Sequence, residues 1–212
     1  MHAVLTSEHL ASTAAPAHDL VVILDEAGSL SGQALGRAAA LLDRRPDVGT
    51  VFVTDADAPD AVQDGARWLR AAAARGPDSL GSRRAVLRRT TFEVLGPLDL
   101  GTRHDQLALW LRAAAAAGVA QVAEPLSLVS LTTSRAAARV GQITELHERA
   151  HAFRNLFEEF EPARNRAGLK AAARRAIVRS ARRRALVAAY EGDSVEASLC
   201  RHLARDVQRW GR

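Results

Sequence analysis

Asp19-Leu20-Val21-Val22-Ile23-Leu24 runs directly into Asp25-Glu26-Ala27-Gly28. A short, β-branched apolar run that stops abruptly at acids and a glycine has the pattern of a buried parallel strand with polar residues at its C-terminal end. After Ser31, Leu35, Ala38, Ala39 and Leu42 recur at helical spacing. Pro46 then restricts Arg45 to extended backbone and stops the helix. Residues 48–54, Val-Gly-Thr-Val-Phe-Val-Thr, read as the next strand. The order strand, helix, strand predicts a parallel crossover and places the chain in the α/β class.

Further along, residues 60–74 read as helical, Gly76-Pro77-Asp78 as a turn, and residues 83–95 as a mixed segment ending at Gly96-Pro97. Thr102 or Asp105 is placed to cap a helix carrying Leu107, Trp110, Leu111 and Ala114, which closes near Gly118. Residues 119–122 and 126–131 have the pattern of short strands around Glu124-Pro125. Beyond Thr133 the pattern is helical, with breaks near Pro162, Gly168 and Gly192. These shifts divide the chain into an α/β unit over residues 1–132 and a helical extension over 133–212.

Composition narrows the classes. Aromatic residues make up only 4% of the 212, so the core is expected to be built from alanine and aliphatic side chains. Cys200 is the only cysteine, which excludes an internal disulfide and a cysteine-based zinc cluster, and it reads as a buried small hydrophobe. No apolar run reaches the length needed to cross a bilayer, and the first residues lack a secretory pattern, so a cytoplasmic setting is expected. The net charge of +5 is unevenly spread: residues 162–190 hold eight Arg and one Lys with no acid, leaving the remainder net acidic. Any case for an anionic partner therefore rests on that segment alone.

Taken in order, the segments resemble the second half of a family 2 glycosyltransferase domain of GT-A type. That family follows a strand with Leu-Asp-Ala-Asp-Asp-x-Leu, and Leu24-Asp25-Glu26-Ala27-Gly28-Ser29-Leu30 stands in this place. A second strand ends in an acidic stretch, matched by Thr54-Asp55-Ala56-Asp57, and the family's Arg-Arg-x-x-Phe-Glu pattern is matched by Arg88-Arg89-Thr90-Thr91-Phe92-Glu93. Leu109-Trp110-Leu111-Arg112 is identical to the end of the family's acidic helix, and Glu124-Pro125-Leu126 fits the strand that follows. The match covers just over half of the chain.

The resemblance implies a partial GT-A, Rossmann-like mixed sheet flanked by helices. It also implies transfer of a sugar from a nucleotide-sugar to the hydroxyl of a glycan or lipid-linked acceptor. In such enzymes, acids at the strand end hold Mn²⁺ or Mg²⁺ through hard oxygen ligands, and a carboxylate at the later helix takes the acceptor proton. Asp25 takes the first acid position, Ala27 replaces the second, and a one-residue shift brings in Glu26 as metal ligand. Counted without a gap from Leu109-Trp110, Asp105 falls on the Glu of the acidic pair and Gln106 on the base; a one-residue insertion makes Asp105 the base. Gln is no proton acceptor near neutral pH. These departures carry the alternative, an inactive relative that binds a sugar or completes a partner. The family's nucleotide-binding front is also expected to be missing, leaving an edge for a second copy, a partner chain or the C-terminal helices to cover.

Other motifs have plain readings beside functional ones. Asp55 and Asp57 form an Asp-x-Asp after a strand, which is also an ordinary acidic turn. His147-Glu148-Arg149-Ala150-His151 fits the His-Glu-x-x-His pattern of zinc-dependent hydrolases, and equally a solvated helix face. Over residues 164–184, Arg175, Arg179, Arg182 and Arg183 share one helical side, and Leu169, Ala173, Ile177 and Ala181 another. A solvated helix docked by its apolar stripe is the first reading and peripheral contact with anionic lipid the second. Nucleic acid ranks third, because stacking aromatics are missing from the stretch. Trp68, Trp110 and the stripe Phe153, Leu156, Phe157, Phe160 read as core before they read as ligand platforms.

Overall fold

A computed structural model describes residues 2–5, 19–24, 30–54, 61–75, 84–96, 103–123, 135–164 and 166–210. Among these, six strands form one open mixed sheet: β1 (His2–Leu5), β2 (Leu20–Ile23), β3 (Val48–Thr54), β4 (Ala61–Gln63), β5 (Arg84–Arg88) and β6 (Gly118–Ala123). Their order across the sheet is β1-β2-β5-β3-β6-β4. β1 pairs parallel with β2 and β3 with β6, whereas β5 is antiparallel to both β2 and β3, and β4 to β6. Strands β1, β2, β3 and β6 therefore point one way, and their carboxyl ends share one edge of the molecule. The predicted crossover from β2 to β3 is present, with β5 inserted between the two strands.

Alternation of side chains across the sheet separates two apolar layers. Leu20, Val22, Val51, Val86, Ala120 and Val122 face helix α1 (Gly32–Arg44), meeting its Ala38, Leu41 and Leu42. Val21, Ile23, Phe52, Ala85, Leu87 and Val119 face the other way. That larger layer is covered by α2 (Gly65–Arg75) and α4 (Arg103–Ala116), with short α3 (Arg89–Val94) leading from β5 toward α4. Phe52 lies at its centre: the Trp68 ring stacks on it at 4.9 Å, and the Trp110 ring meets it edge-on at 5.6 Å. Both tryptophans are buried, as their spacing predicts.

The C-terminal helices are α5 (Arg135–Glu159), α6 (Glu161–Arg164), α7 (Ala167–Tyr190) and α8 (Ser194–Gln208). They extend the same apolar layer over α2 and α4. Phe153, Leu156, Phe157, Phe160, Leu169, Ala173, Ile177 and Ala181 join one continuous core with the sheet. These helices lie on the outer side of α2 and α4, while the outer edge of β2 is paired by β1. Cys200 is buried on α8, and burial pushes its thiol above the ordinary range.

Small residues permit the tight joints. A side chain at Gly65 would place a Cβ 1.9 Å from the Ala114 carbonyl oxygen, where α2 starts against the end of α4. At Gly49, where the β3–β6 register shifts, a Cβ would lie 2.3 Å from Thr91 Oγ1.

Two sequence expectations need correction. Residues 61–63 are a strand on the sheet's edge, with the helix starting only at Gly65; pairing with β6 outweighs helical propensity there. The mixed segment 83–95 resolves into β5 and α3, divided at Arg88-Arg89. Residues 126–131 lie outside the described residues. Among the described residues, no helix is long and apolar enough to cross a membrane.

Replacing Phe52 with Ala removes the contact shared by both tryptophans and should lower the unfolding free energy by about 3–5 kcal/mol in urea titrations. Val94→Ala, at a side chain 53% exposed, should change it by less than about 0.5 kcal/mol.

Candidate functional site at the carboxyl end of the sheet

The direction of the strands decides what meets at this end. β2 leads through Leu24 into Asp25, β3 through Thr54 into Asp55, and β6 through Ala123 into Glu124. β5 begins here, since Arg84 is opposite Val53 near the end of β3. Helix α1 ends beside the start of β3, where the Val48 amide donates to Arg45 O, so its N-terminus lies toward the carboxyl end. There Ser31 caps it, its Oγ accepting from the Ala34 amide at 3.1 Å. One turn in, Arg37 Nη1 donates to the Ala123 carbonyl at 2.9 Å and ties α1 to the end of β6. Helix α4 closes just before β6 starts, so its N-terminus also lies toward this end. Open α/β sheets bind ligands outside their strands' carboxyl ends, and helix N-termini add partial positive charge.

Asp25 and Glu26, the predicted metal ligands, lie outside the described residues, as do Ala27, Asp55, Asp57 and Glu124. Asp105 is the third residue of α4, inside the helix and not its cap; its side chain is outside the described set. Among the described residues, no three His, Cys, Asp or Glu side chains cluster to hold a metal ion.

Several residues that carry the family resemblance have defined packing roles here. The Arg88 guanidinium donates to Val48 O at 2.9 Å, to Leu42 O, and to Arg45 O at 3.2 Å. It thereby satisfies carbonyls at the end of α1, which a helix cannot satisfy internally. Arg89 pairs with Glu93 one turn on at 2.7 Å. In the Leu109-Trp110-Leu111-Arg112 stretch the three apolar side chains are buried. Arg112 donates to Leu95 O at 3.2 Å, reaches Glu159 at 3.5 Å, and lies 5.9 Å from the Phe160 ring centre. It joins α4 to the end of α3 and to the end of α5.

The His-Glu-x-x-His stretch lies on α5 with His147 and His151 exposed. His151 Nδ1 is 3.4 Å from Asn155 Nδ2. Arg149, between them, is buried, pairs with Glu145 at 2.8 Å and donates to Ala73 O at 3.4 Å, near the end of α2. With the buried Ala150, it anchors α5 to the body. Among perturbed groups, Asp47 is held below its usual range mainly by the hydrogen bond from Arg45. That pair lies at the opposite end of the sheet, beside the start of β3.

The basic helix divides as its spacing predicts. Leu169, Ala173, Ile177 and Ala181 are buried, and Arg175, Arg179, Arg182 and Arg183 are exposed. Sequence reading missed that the arginine side continues through Leu186 to Tyr190 on the same face, a signal present in their spacing of three to four residues. Compared with protein-family models and with curated proteins, the chain matches none of either.

Arg149→Ala should cost about 1–3 kcal/mol, because it strips Glu145 of its partner and unties a helix end. His151→Ala should change stability by less than about 0.5 kcal/mol. Chemical denaturation of the two variants beside the parent measures the contrast.

Proposed function

We propose that this chain is a GT-A-type protein related to the family 2 glycosyltransferases. It transfers a sugar from a nucleotide-sugar to the hydroxyl of a glycan or lipid-linked acceptor. The observation that carries the reading is positional. In the sequence Asp25 and Glu26 come just after Leu24, the residue that follows β2, and Asp105 is the third residue of α4, whose N-terminus lies toward the carboxyl end of the sheet.

Adjacent carboxylates are hard oxygen donors that suit Mn²⁺ or Mg²⁺. Asp25 and Glu26 would hold such an ion, which when bound would supply neutralisation of the charge on the donor's diphosphate. Asp105 accepts the proton of the acceptor hydroxyl as its oxygen bonds to the sugar's anomeric carbon. The bond from that carbon to the phosphate oxygen breaks, and its electron pair leaves with the nucleotide. The positive ends of α1 and α4 favour the anionic donor at this edge. The second reading, a binding protein on the same scaffold, draws on Ala27 and Gln106, which stand where the resemblance expects acids.

The test is turnover of a panel of nucleotide-sugars with Mn²⁺, beside calorimetric binding of each donor. Release of nucleoside diphosphate is expected, with Asp25→Asn and Asp105→Asn each lowering kcat by about 10²-fold or more. Donor binding without turnover would leave the binding reading. Neither binding nor turnover would discard both.

A further inference from the structure

Helices α7 and α8 form a hairpin whose outer surface is unlike the rest of the molecule. Arg174, Arg175, Val178, Arg179, Arg182 and Gln208 line an open groove of about 570 Å³. Arg174 is engaged with the Trp210 carbonyl at 3.1 Å. Arg175, Arg179 and Arg182 are exposed and make no ion pair among the described residues. Three of the four acids on this hairpin have defined partners, and the fourth, Glu191 at its turn, acts electrostatically on Arg184. Glu196 pairs with Arg184, Asp206 with His202 at 3.3 Å, and Asp193 caps α8 by accepting from the Glu196 amide at 2.8 Å.

The groove leads into an apolar tip. Among the described residues, the large exposed hydrophobic side chains other than Val62 and Val94 all belong to this hairpin: Leu186, Val187, Tyr190, Val195 and Leu199. Leu186 is 73% exposed, Tyr190 95% and Val195 69%. Leu186 and Tyr190 are one turn apart near the end of α7, and Val195 and Leu199 one turn apart at the start of α8. Gly192, at φ 81°, turns the chain between them. The buried Arg184–Glu196 pair fixes the two helices to each other.

Among the described residues, the hairpin's tip continues beyond its contact with α2. Ser180 Oγ donates to Ala74 O at 3.1 Å, next to the end of α2. Leu169, Ala173, Ile177, Val178 and Ala181 join the main core, whereas Ala185 and Ala188, though buried, do not. The last turns of α7 and the first of α8 therefore extend past the end of α2, and α2 ends toward the sheet's carboxyl edge.

We propose that this hairpin is a peripheral docking surface for an anionic lipid bilayer. Arg175, Arg179 and Arg182 meet headgroup phosphates, and Leu186, Tyr190, Val195 and Leu199 enter the interfacial layer. Charge and apolarity in adjoining patches are what an interfacial helix requires. A second copy of the chain would bring the same uncompensated arginines against this face. A nucleic acid would match the charge but meet one exposed aromatic, Tyr190, among aliphatic side chains, where a row of stacking aromatics is needed. This surface does not depend on the transferase reading, because it is assayed without nucleotide-sugar.

The experiment is co-sedimentation of the full chain with phosphatidylcholine vesicles, alone or containing phosphatidylglycerol. Binding is expected only to the anionic vesicles and should weaken with added salt. The combined variant Arg175→Gln, Arg179→Gln, Arg182→Gln should weaken it about tenfold or more. So should Leu186→Ser with Tyr190→Ser, with helical circular dichroism unchanged because all five side chains are exposed. The proposal is overturned if no vesicle binds or if neither variant changes binding. It is also overturned if a single-stranded oligonucleotide is bound in preference, or if the chain self-associates through this face without binding lipid.

Discussion

The packing of Phe52 between Trp68 and Trp110 is the constraint on which the rest of the fold depends. Phe52 comes from the central part of β3, Trp68 from α2 and Trp110 from α4, so one contact fixes both helices to the sheet. Aromatic pairs in these geometries contribute about 0.5–1.5 kcal/mol beyond the area they bury. In a chain so poor in aromatics, neighbouring positions must be filled by alanine and aliphatic residues. That suits close approach of the elements, as where Gly65 meets the Ala114 carbonyl. Once α2 and α4 are set, their outer sides form the seat for α5 and α7, and the core continues without a gap from Val21 to Val207.

Small side chains pack helices closely but do nothing for unsatisfied carbonyls at helix ends. Arginines do that work here. Arg88 closes the end of α1, Arg112 reaches the carbonyl of Leu95 after α3, and Arg149 reaches Ala73 near the end of α2. A guanidinium presents several donors in a fixed fork, so one side chain can satisfy carbonyls from more than one element, as Arg88 does for α1 and β3. Each also interacts favourably with the negative end of a helix dipole.

How legible this was in the sequence followed the range of the interactions. β2, α1 and β3 were readable because burial on both faces, helical spacing and Pro46 are local signals. Residues 61–63 were misread because three residues next to a helix have no period of their own; only pairing with β6 makes them a strand. The role of Arg88 was hidden for the same reason, since its partners lie 40 to 46 residues away. Arg149 falls at an unspecified position of the His-Glu-x-x-His pattern, so its sequence context gave no sign that it is buried against α2. The arginine face of α7 was legible from spacing, and so was its continuation to Leu186 and Tyr190, but their exposure was not, because end-of-helix apolar residues are normally expected to pack. Asp25, Glu26 and Asp105 were singled out by resemblance. What the fold adds is that the carboxyl end of β2 and the N-terminus of α4 lie toward one end of the sheet.

The arginines thus fall into two populations with different physics. Arg88, Arg112, Arg149 and Arg184 are engaged with carbonyls or carboxylates and hold elements together. Among the described residues Arg175, Arg179 and Arg182 do neither, and their spacing of three and four residues sets like charges beside each other on one helix. Each such neighbour pair costs an isolated helix about 0.2–0.5 kcal/mol. A face needed only for solubility would be served as well by mixed charges, which remove that cost. The buried side of α7 already supplies its docking to α2, through Ala173, Ile177 and Ala181. Folding stability therefore gives no account of this row of unpaired cations, nor of the exposed Leu186 and Tyr190 that continue it. An external anionic surface would relieve the repulsion and cover the apolar tip in a single contact.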